Sequence, residues 1–318
     1  MRFSMAKGRV AWLTAIIIII IGVYYFFQKG QELIRLKNLS LSQACMAFTV
    51  IMIYNLISGR KFKLLFEAYK IRLTIKEWFG LPQVVYLFDL LFFKSGLMVS
   101  AYYLKKNLHL SYSRYLVAMS ALKISDLFAA TFMGLIYSFA LFIFYGIKFY
   151  VVLIFVVLLA VLTVFVKLSF LLPIKEKELK SGALKKVIEI TKLWNEYKRN
   201  TITIVKLILL SFIAIPMYGV RYYVAFHILN YQVSIFECIM ISIIIHITGF
   251  ISIIPGNIGI RETVVGILSY FMGYNFDYGI IAATVDRIFS TLFFVFFGII
   301  FFNVLHLKGY SRNHSTIC

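Results

Sequence analysis

Six stretches of this chain are too apolar and too long to remain in water. They are Ala11 to Phe27, Leu41 to Ser58, about Tyr115 to Tyr145, Phe149 to Leu172, Ile202 to His227 and about Gly279 to Leu305. About 20 apolar residues in a helix cross a hydrocarbon core of ~30 Å, and a helix satisfies its own backbone groups there. Two more stretches, Leu81 to Leu104 and Ser234 to Met272, are apolar but interrupted. Asp89, Lys94 and Gly96 break the first, and Pro255, Gly256 and Gly259 break the second. The expected class is therefore an all-α polytopic membrane protein. It has about six full spans and two broken, re-entrant hairpins within a single integral membrane domain, 1–318.

Composition excludes the main alternative. Charged residues make up 14% of the chain, against about 25% in a soluble domain. The net charge is +20, but the basic residues are spread over short loops and form no patch with a nucleic-acid reader fold. Their placement is the positive-inside bias. With both hairpins re-entrant and the N-terminus cytoplasmic, 22 Lys and Arg fall in cytoplasmic pieces and 4 in outer loops. The chain is then a multi-pass protein of a bacterial or archaeal cytoplasmic membrane with both termini inside. Ala11 to Phe27 resembles a signal peptide, but Gln28 and Lys29 follow it instead of a cleavage site, so it reads as a retained span. The basic stretch Arg60 to Glu77 reads as a helix lying on the membrane surface.

This topology divides the chain into 1–145, a first half-repeat, and 146–172 with 201–318, a second. Residues 173–200 form a cytoplasmic amphipathic connector. Each half reads span, span, hairpin, span. Three crossings per half invert the second relative to the first, the plan of transporters whose site lies where broken helices meet. A short echo accompanies it: Gly96 is followed by Asp126 at nearly the interval that separates Gly259 from Asp286.

Charges inside hydrocarbon need a partner or a wet cavity. Lys167 and Lys206 lie near span ends, where a lysine snorkels to the headgroups, and Arg221 and Glu237 read as interfacial anchors. Arg261-Glu262 and Asp286-Arg287 differ. Neighbours on a helix point about 100° apart, so cross-pairing of Arg261 with Asp286 or of Glu262 with Arg287 is the natural solution. Such pairs either lock the hairpin to the last span or leave one arginine for an anionic headgroup, which guanidinium binds in bidentate fashion. Arg261, Arg287, Lys94 and Asn257 are the candidate headgroup-binding residues. Glu262, Asp286, Asp89 and Asp126 are the charge-pairing ones. Pro255, Gly256, Gly259 and Gly96 break the helices. A helix restarting near Ile260 would turn its free N–H groups toward an anion. His246 reads as a packed, hydrogen-bonded residue. The sequence has no metal-ligand spacing, no disulfide framework among Cys45, Cys238 and Cys318, and no catalytic motif; no cofactor is expected.

The stretch Gly249 to Glu262, with Pro255-Gly256-Asn257-Ile258-Gly259-Ile260-Arg261-Glu262, then Met272-Gly273 and Asp286-Arg287, resembles the transmembrane region of lysylphosphatidylglycerol synthases. Tyr102-Tyr103-Leu104-Lys105-Lys106, Leu110-Ser111-Tyr112-Ser113 and Asp126 are similar to its first half. Lys94-Ser95-Gly96 departs from the Pro-Gly or Gly-Gly turn that the family often carries there. Full-length synthases continue into a soluble aminoacyl-transferring domain that this sequence lacks. The resemblance thus implies the lipid-translocating part, with an anionic lipid or a polyprenyl-phosphate-linked glycan as cargo and envelope-synthesis enzymes as possible partners. Two other readings stand beside it. One is a membrane-embedded transferase working through Asp89, Glu262 or Asp286. The other is a non-catalytic scaffold of an envelope-synthesis complex, in which every buried charge is paired and no groove remains.

Overall fold

The computed structural model describes residues 39–91, 95–145, 182–249 and 259–314, with four isolated positions between 154 and 161. These residues form nine helices and no strand. They are α1 Leu41–Glu67, α2 Ile75–Leu91, α3 Ser95–Leu108, α4 Tyr112–Tyr145, α5 Gly182–Lys198, α6 Thr201–Ile228, α7 Ile235–Thr248, α8 Ile260–Phe271 and α9 Phe276–His314. Four are long and apolar enough to cross a membrane: Leu41–Glu67, Tyr112–Ala140, Thr201–Ile228 and Phe276–Leu305. The chain is a polytopic helical membrane protein. The expected spans Ala11 to Phe27 and Phe149 to Leu172 lie largely or wholly outside the described residues.

The chain divides into two compact units. The first comprises Met1–Tyr54, Gln83–Leu97 and Pro216–Ile300; the second comprises Asn55–Pro82, Met98–Ile215 and Phe301–Cys318. In the second, Phe66 stacks on Tyr115, and Tyr197 donates to the Leu65 carbonyl at 3.4 Å. In the first, Phe48 meets Phe289 edge-on, and Tyr86 stacks on Phe294 at 4.4 Å.

Both interrupted stretches double back. Helices α2 and α3 have 17 and 14 residues, α7 and α8 have 14 and 12. At 1.5 Å per residue each is shorter than the ~30 Å core. Glu77 near the start of α2 accepts the Tyr103 hydroxyl from α3 at 3.3 Å. Farther along, Ser95 donates to the Phe88 carbonyl at 2.7 Å, and the Gly96 N–H reaches Asp89 Oδ1 at 2.9 Å. A straight helix would hold residues 77 and 103 about 39 Å apart. In the second hairpin α7 packs on α8, and Glu237 accepts the Tyr274 hydroxyl at 2.9 Å.

The surface helix expected over Arg60 to Glu77 is a misreading. Residues 60–67 continue α1, because Phe62, Leu65 and Phe66 are buried side chains rather than a lipid-facing stripe. The helix stops at Lys70, whose φ of 61° puts it in the left-handed region. Ile71 N–H then bonds the Phe66 carbonyl and Lys70 N–H the Glu67 carbonyl, the double closure that satisfies a helix's last acceptors.

That corner occurs twice, once in each unit. Asn230 has φ 59°, Tyr231 N–H bonds the Phe226 carbonyl and Asn230 N–H the His227 carbonyl. Thr74 and Glu77 start α2 through a backbone-to-carboxylate bond of 2.8 Å; Ser234 and Glu237 start α7 through one of 2.8 Å. A Cβ on Gly59 would come within 3.0 Å of the Trp78 carbonyl oxygen, and one on Gly219 within 3.0 Å of the Cys238 carbonyl oxygen. Lys61 pairs with Asp126, and Arg221 pairs with Asp286. A single constant offset in numbering relates every one of these matched positions, from Gly59 and Gly219 through to Asp126 and Asp286. Only Gly59/Gly219, Phe66/Phe226, Ile75/Ile235 and Glu77/Glu237 are identical across residues 59–78 and 219–238, so the duplication is one of local structure and charge.

Glu237→Ala removes the carboxylate that closes the α7 N-terminus. The expected cost is about 1 kcal/mol, read by denaturant titration in micelles. Burial, then the bond to Glu237 and its charge, push the Tyr274 hydroxyl up to about 12. With the folded pKa above the unfolded one, this contribution is whole below pH ~10 and fades as pH rises through about 12. Phenolate absorbance of Tyr274 should therefore appear at lower pH in Glu237→Ala.

Candidate functional site

The charges of the first unit converge on Asp286. Arg221 on α6 grips it with two bonds, Nε to Oδ1 at 3.0 Å and a terminal nitrogen to Oδ2 at 3.0 Å. The same guanidinium donates to the Ser290 hydroxyl at 2.9 Å. Arg261 on α8 reaches Asp286 Oδ2 as well, and its Nε donates to the Tyr222 hydroxyl at 2.6 Å. Arg287 meets Glu262 at 2.8 Å. Both cross-pairs considered from the sequence are thus present. They tie α8 to α9.

Aromatic faces enclose the two guanidiniums on Asp286. Arg221 lies 5.2 Å from the Tyr54 ring and 4.6 Å from the Tyr218 ring; Arg261 lies 5.4 Å from Tyr218 and 5.3 Å from Tyr222. A guanidinium stacked on aromatic rings keeps attraction for its face while its edges donate to oxygen. His246 meets Tyr218 edge-on, and its Nδ1 donates to the Ser242 carbonyl at 2.8 Å. Among the described residues of this cluster, three guanidiniums face two carboxylates.

Arg221 is the residue that sequence reasoning missed. It is no interfacial anchor: its side chain is 3% exposed and holds the cluster's central carboxylate. Its seven-residue distance from the end of α6 and the tyrosines at 218, 222 and 223 were the only available signals. Glu237, read as an anchor, is the carboxylate of the capping box that Ser234 opens at the start of α7.

The remaining candidates separate. Gly259 precedes α8 with φ 84°, a conformation that favours glycine, and its N–H is taken by Glu262 at 2.9 Å. The chain's own carboxylate thus occupies a donor at the helix start that sequence reasoning reserved for a ligand. Asp89 accepts the Gly96 N–H. Asp126 belongs to the second unit, where Lys61 and Ser211 bond it. Lys61, counted from sequence as a loop residue, is 4% exposed and lies within α1. Lys94, Pro255, Gly256 and Asn257 lie outside the described residues.

A small cleft of about 10 Å³, room for about one water molecule and partly open to the surroundings, borders the cluster. Ala47, Val50 and Ile51 of α1 and Val224, Ala225 and Ile228 of α6 form most of its wall, and Arg221 and Asp286 supply the polar end. Of the cluster's three arginines it is Arg221, and not the headgroup candidates Arg261 and Arg287, that lines this cleft.

These features define a class: a multi-span helical membrane protein with two helical hairpins and a buried arginine–carboxylate cluster beside an apolar cleft. The chain belongs to the family described as the lysylphosphatidylglycerol synthase TM region, whose model matches residues 10–298. No curated protein and no solved structure matches the chain. Membership points to a function connected with membrane lipids of the cell envelope.

Proposed function

We propose that the protein moves an anionic lipid, or a polyprenyl-phosphate-linked glycan, between the leaflets of the cytoplasmic membrane during envelope biogenesis. The carrying observation is that, among the described residues, three guanidiniums share two carboxylates beside a cleft with apolar walls. An arginine at the centre of a span costs about 2.5–3.5 kcal/mol on an insertion scale, so an arrangement that keeps a third one needs a return. A phosphate headgroup offers it, because it accepts two guanidinium bonds at once. The apolar walls of α1 and α6 match the chain attached to that headgroup in polarity, and they must part to admit it. The duplicated corner supports an inverted repeat in which each half carries one hairpin and one buried ion pair.

The transferase reading has less support. Asp89, Glu262 and Asp286 all hold structural bonds, to the Gly96 N–H, the Gly259 N–H and Arg221 respectively. The scaffold reading draws on one observation, that Arg221, Arg261 and Arg287 each have a carboxylate partner. Vesicles containing the purified chain and a fluorescent anionic phospholipid separate the readings. Wild type should exchange the lipid faster than empty vesicles, and Arg261→Ala should slow it by at least about tenfold, the effect of ~1.4 kcal/mol. Exchange equal to empty vesicles favours a scaffold. Unaltered exchange in Arg261→Ala removes that residue from the site.

A further inference from the structure

The ion pair of the second unit has no role in the site above, yet it is that site's counterpart. Lys61 and Asp126 precede Arg221 and Asp286 by one and the same offset, in the same places on equivalent helices. Lys61 is six residues from the end of α1 and Arg221 seven from the end of α6. Each therefore lies about 10 Å in from the corner that ends its helix. Both are buried, with side chains 5% and 3% exposed.

The chemistry differs in one respect. Arg221 holds both oxygens of its carboxylate. Lys61 bonds Oδ1 of Asp126, the oxygen that also takes the Ser211 hydroxyl at 2.6 Å. A lysine is a point charge on a flexible stem, and it changes partners more readily than a two-pronged guanidinium. Lys123 lies one turn before Asp126 on the same face of α4. It is exposed and meets no carboxylate among the described residues. Among the described residues two lysines thus accompany one carboxylate here, and Asp126 is 20% exposed.

We propose that Lys61, Lys123 and Asp126 form a second station for the phosphate headgroup of the translocated lipid. The proposal rests on the lipid-translocation reading above. An arriving phosphate bonds Lys123 first and then draws Lys61 from Asp126, which keeps the Ser211 hydroxyl. The lysine station is the more easily exchanged of the two, and the arginine station the more selective for a two-bond fit.

The test uses the full chain in phosphatidylcholine vesicles doped with a photoreactive phosphatidylglycerol, with labelled peptides mapped by mass spectrometry. Wild type should be labelled at residues 60–67 of α1 and on α4, as well as on α6, α8 and α9. Lys123→Gln, an exposed change that leaves the fold intact, should cut the label at residues 60–67 of α1 and on α4 about tenfold and leave the α8 and α9 label unchanged. Asp126→Asn frees Lys61, so it should raise the α1 and α4 label severalfold, whereas a purely structural pair would lower labelling everywhere. Equal α1 and α4 labelling in wild type and Lys123→Gln overturns the station. So does its loss to excess inorganic phosphate with the α8 and α9 label intact, which would assign the lysines to free phosphate. Leaflet exchange in the same vesicles keeps the two claims apart. Labelling at both stations without exchange sinks the transport reading alone, and exchange without Lys123-dependent label sinks the station alone.

Discussion

Asp286→Ala should lower the unfolding free energy by about 3–5 kcal/mol, the largest loss expected of any single change in this protein. The carboxylate is 2% exposed and binds two guanidiniums. Removing it strands Arg221 and Arg261 in a medium that cannot hydrate them. Their tyrosine faces cannot make up the difference, since those contacts, worth about 2 kcal/mol each when desolvated, exist already. Denaturant titration of the purified protein in mixed micelles measures the change. Arg221→Met with Asp286→Leu should cost less than Asp286→Ala alone, because two charges leave together and apolar atoms fill the space. A loss below ~1 kcal/mol for Asp286→Ala would mean that water or headgroups already reach the pair.

Gly96→Val should destabilise the first hairpin by about 1–3 kcal/mol. A Cβ on Gly96 would overlap the Val85 carbonyl and come within 2.8 Å of the Val85 Cα. Those atoms are backbone, so neither helix can yield by a rotamer change; α2 and α3 must separate. Separation also pulls Asp89 from the Gly96 N–H. Gly249→Ala is the control, because a Cβ there meets nothing within 4 Å. The same titration should find it within about 0.5 kcal/mol of wild type. Equal stability of Gly96→Val and wild type would contradict the close approach of the two helices.

Much of this architecture was legible in the residues. Uninterrupted apolar length identified α4, α6 and the membrane-crossing part of α9, Phe276–Leu305, within a few residues at each end, because hydrocarbon permits only helix there. The breaks at Gly96 and Gly259 were legible for the same reason. Polar and helix-breaking residues at membrane depth are tolerated only where protein or water covers them. The two Arg–carboxylate cross-pairs followed from helical geometry, since adjacent charges diverge and must find partners on a neighbouring helix.

Lys61 and Arg221 were not legible. Each stands near the end of a span, where a basic residue is usually a headgroup anchor, and local sequence is the same for an anchor and for a buried partner. Their carboxylates are 65 residues away in both cases. The duplication was hidden as well, because what repeats is a pattern of caps, small residues and charge signs rather than identities.

The amino-acid order by itself therefore determined that the chain must be helical, must lie in a membrane, and must interrupt two of its helices there. These are properties of one segment in one solvent, decided by backbone hydrogen bonds and apolar length. Which charge meets which, and that the arginine cluster centres on Asp286, were decided only when distant helices packed together. A buried ion is stabilised by partners within a few ångströms, and only the folded chain brings those partners near.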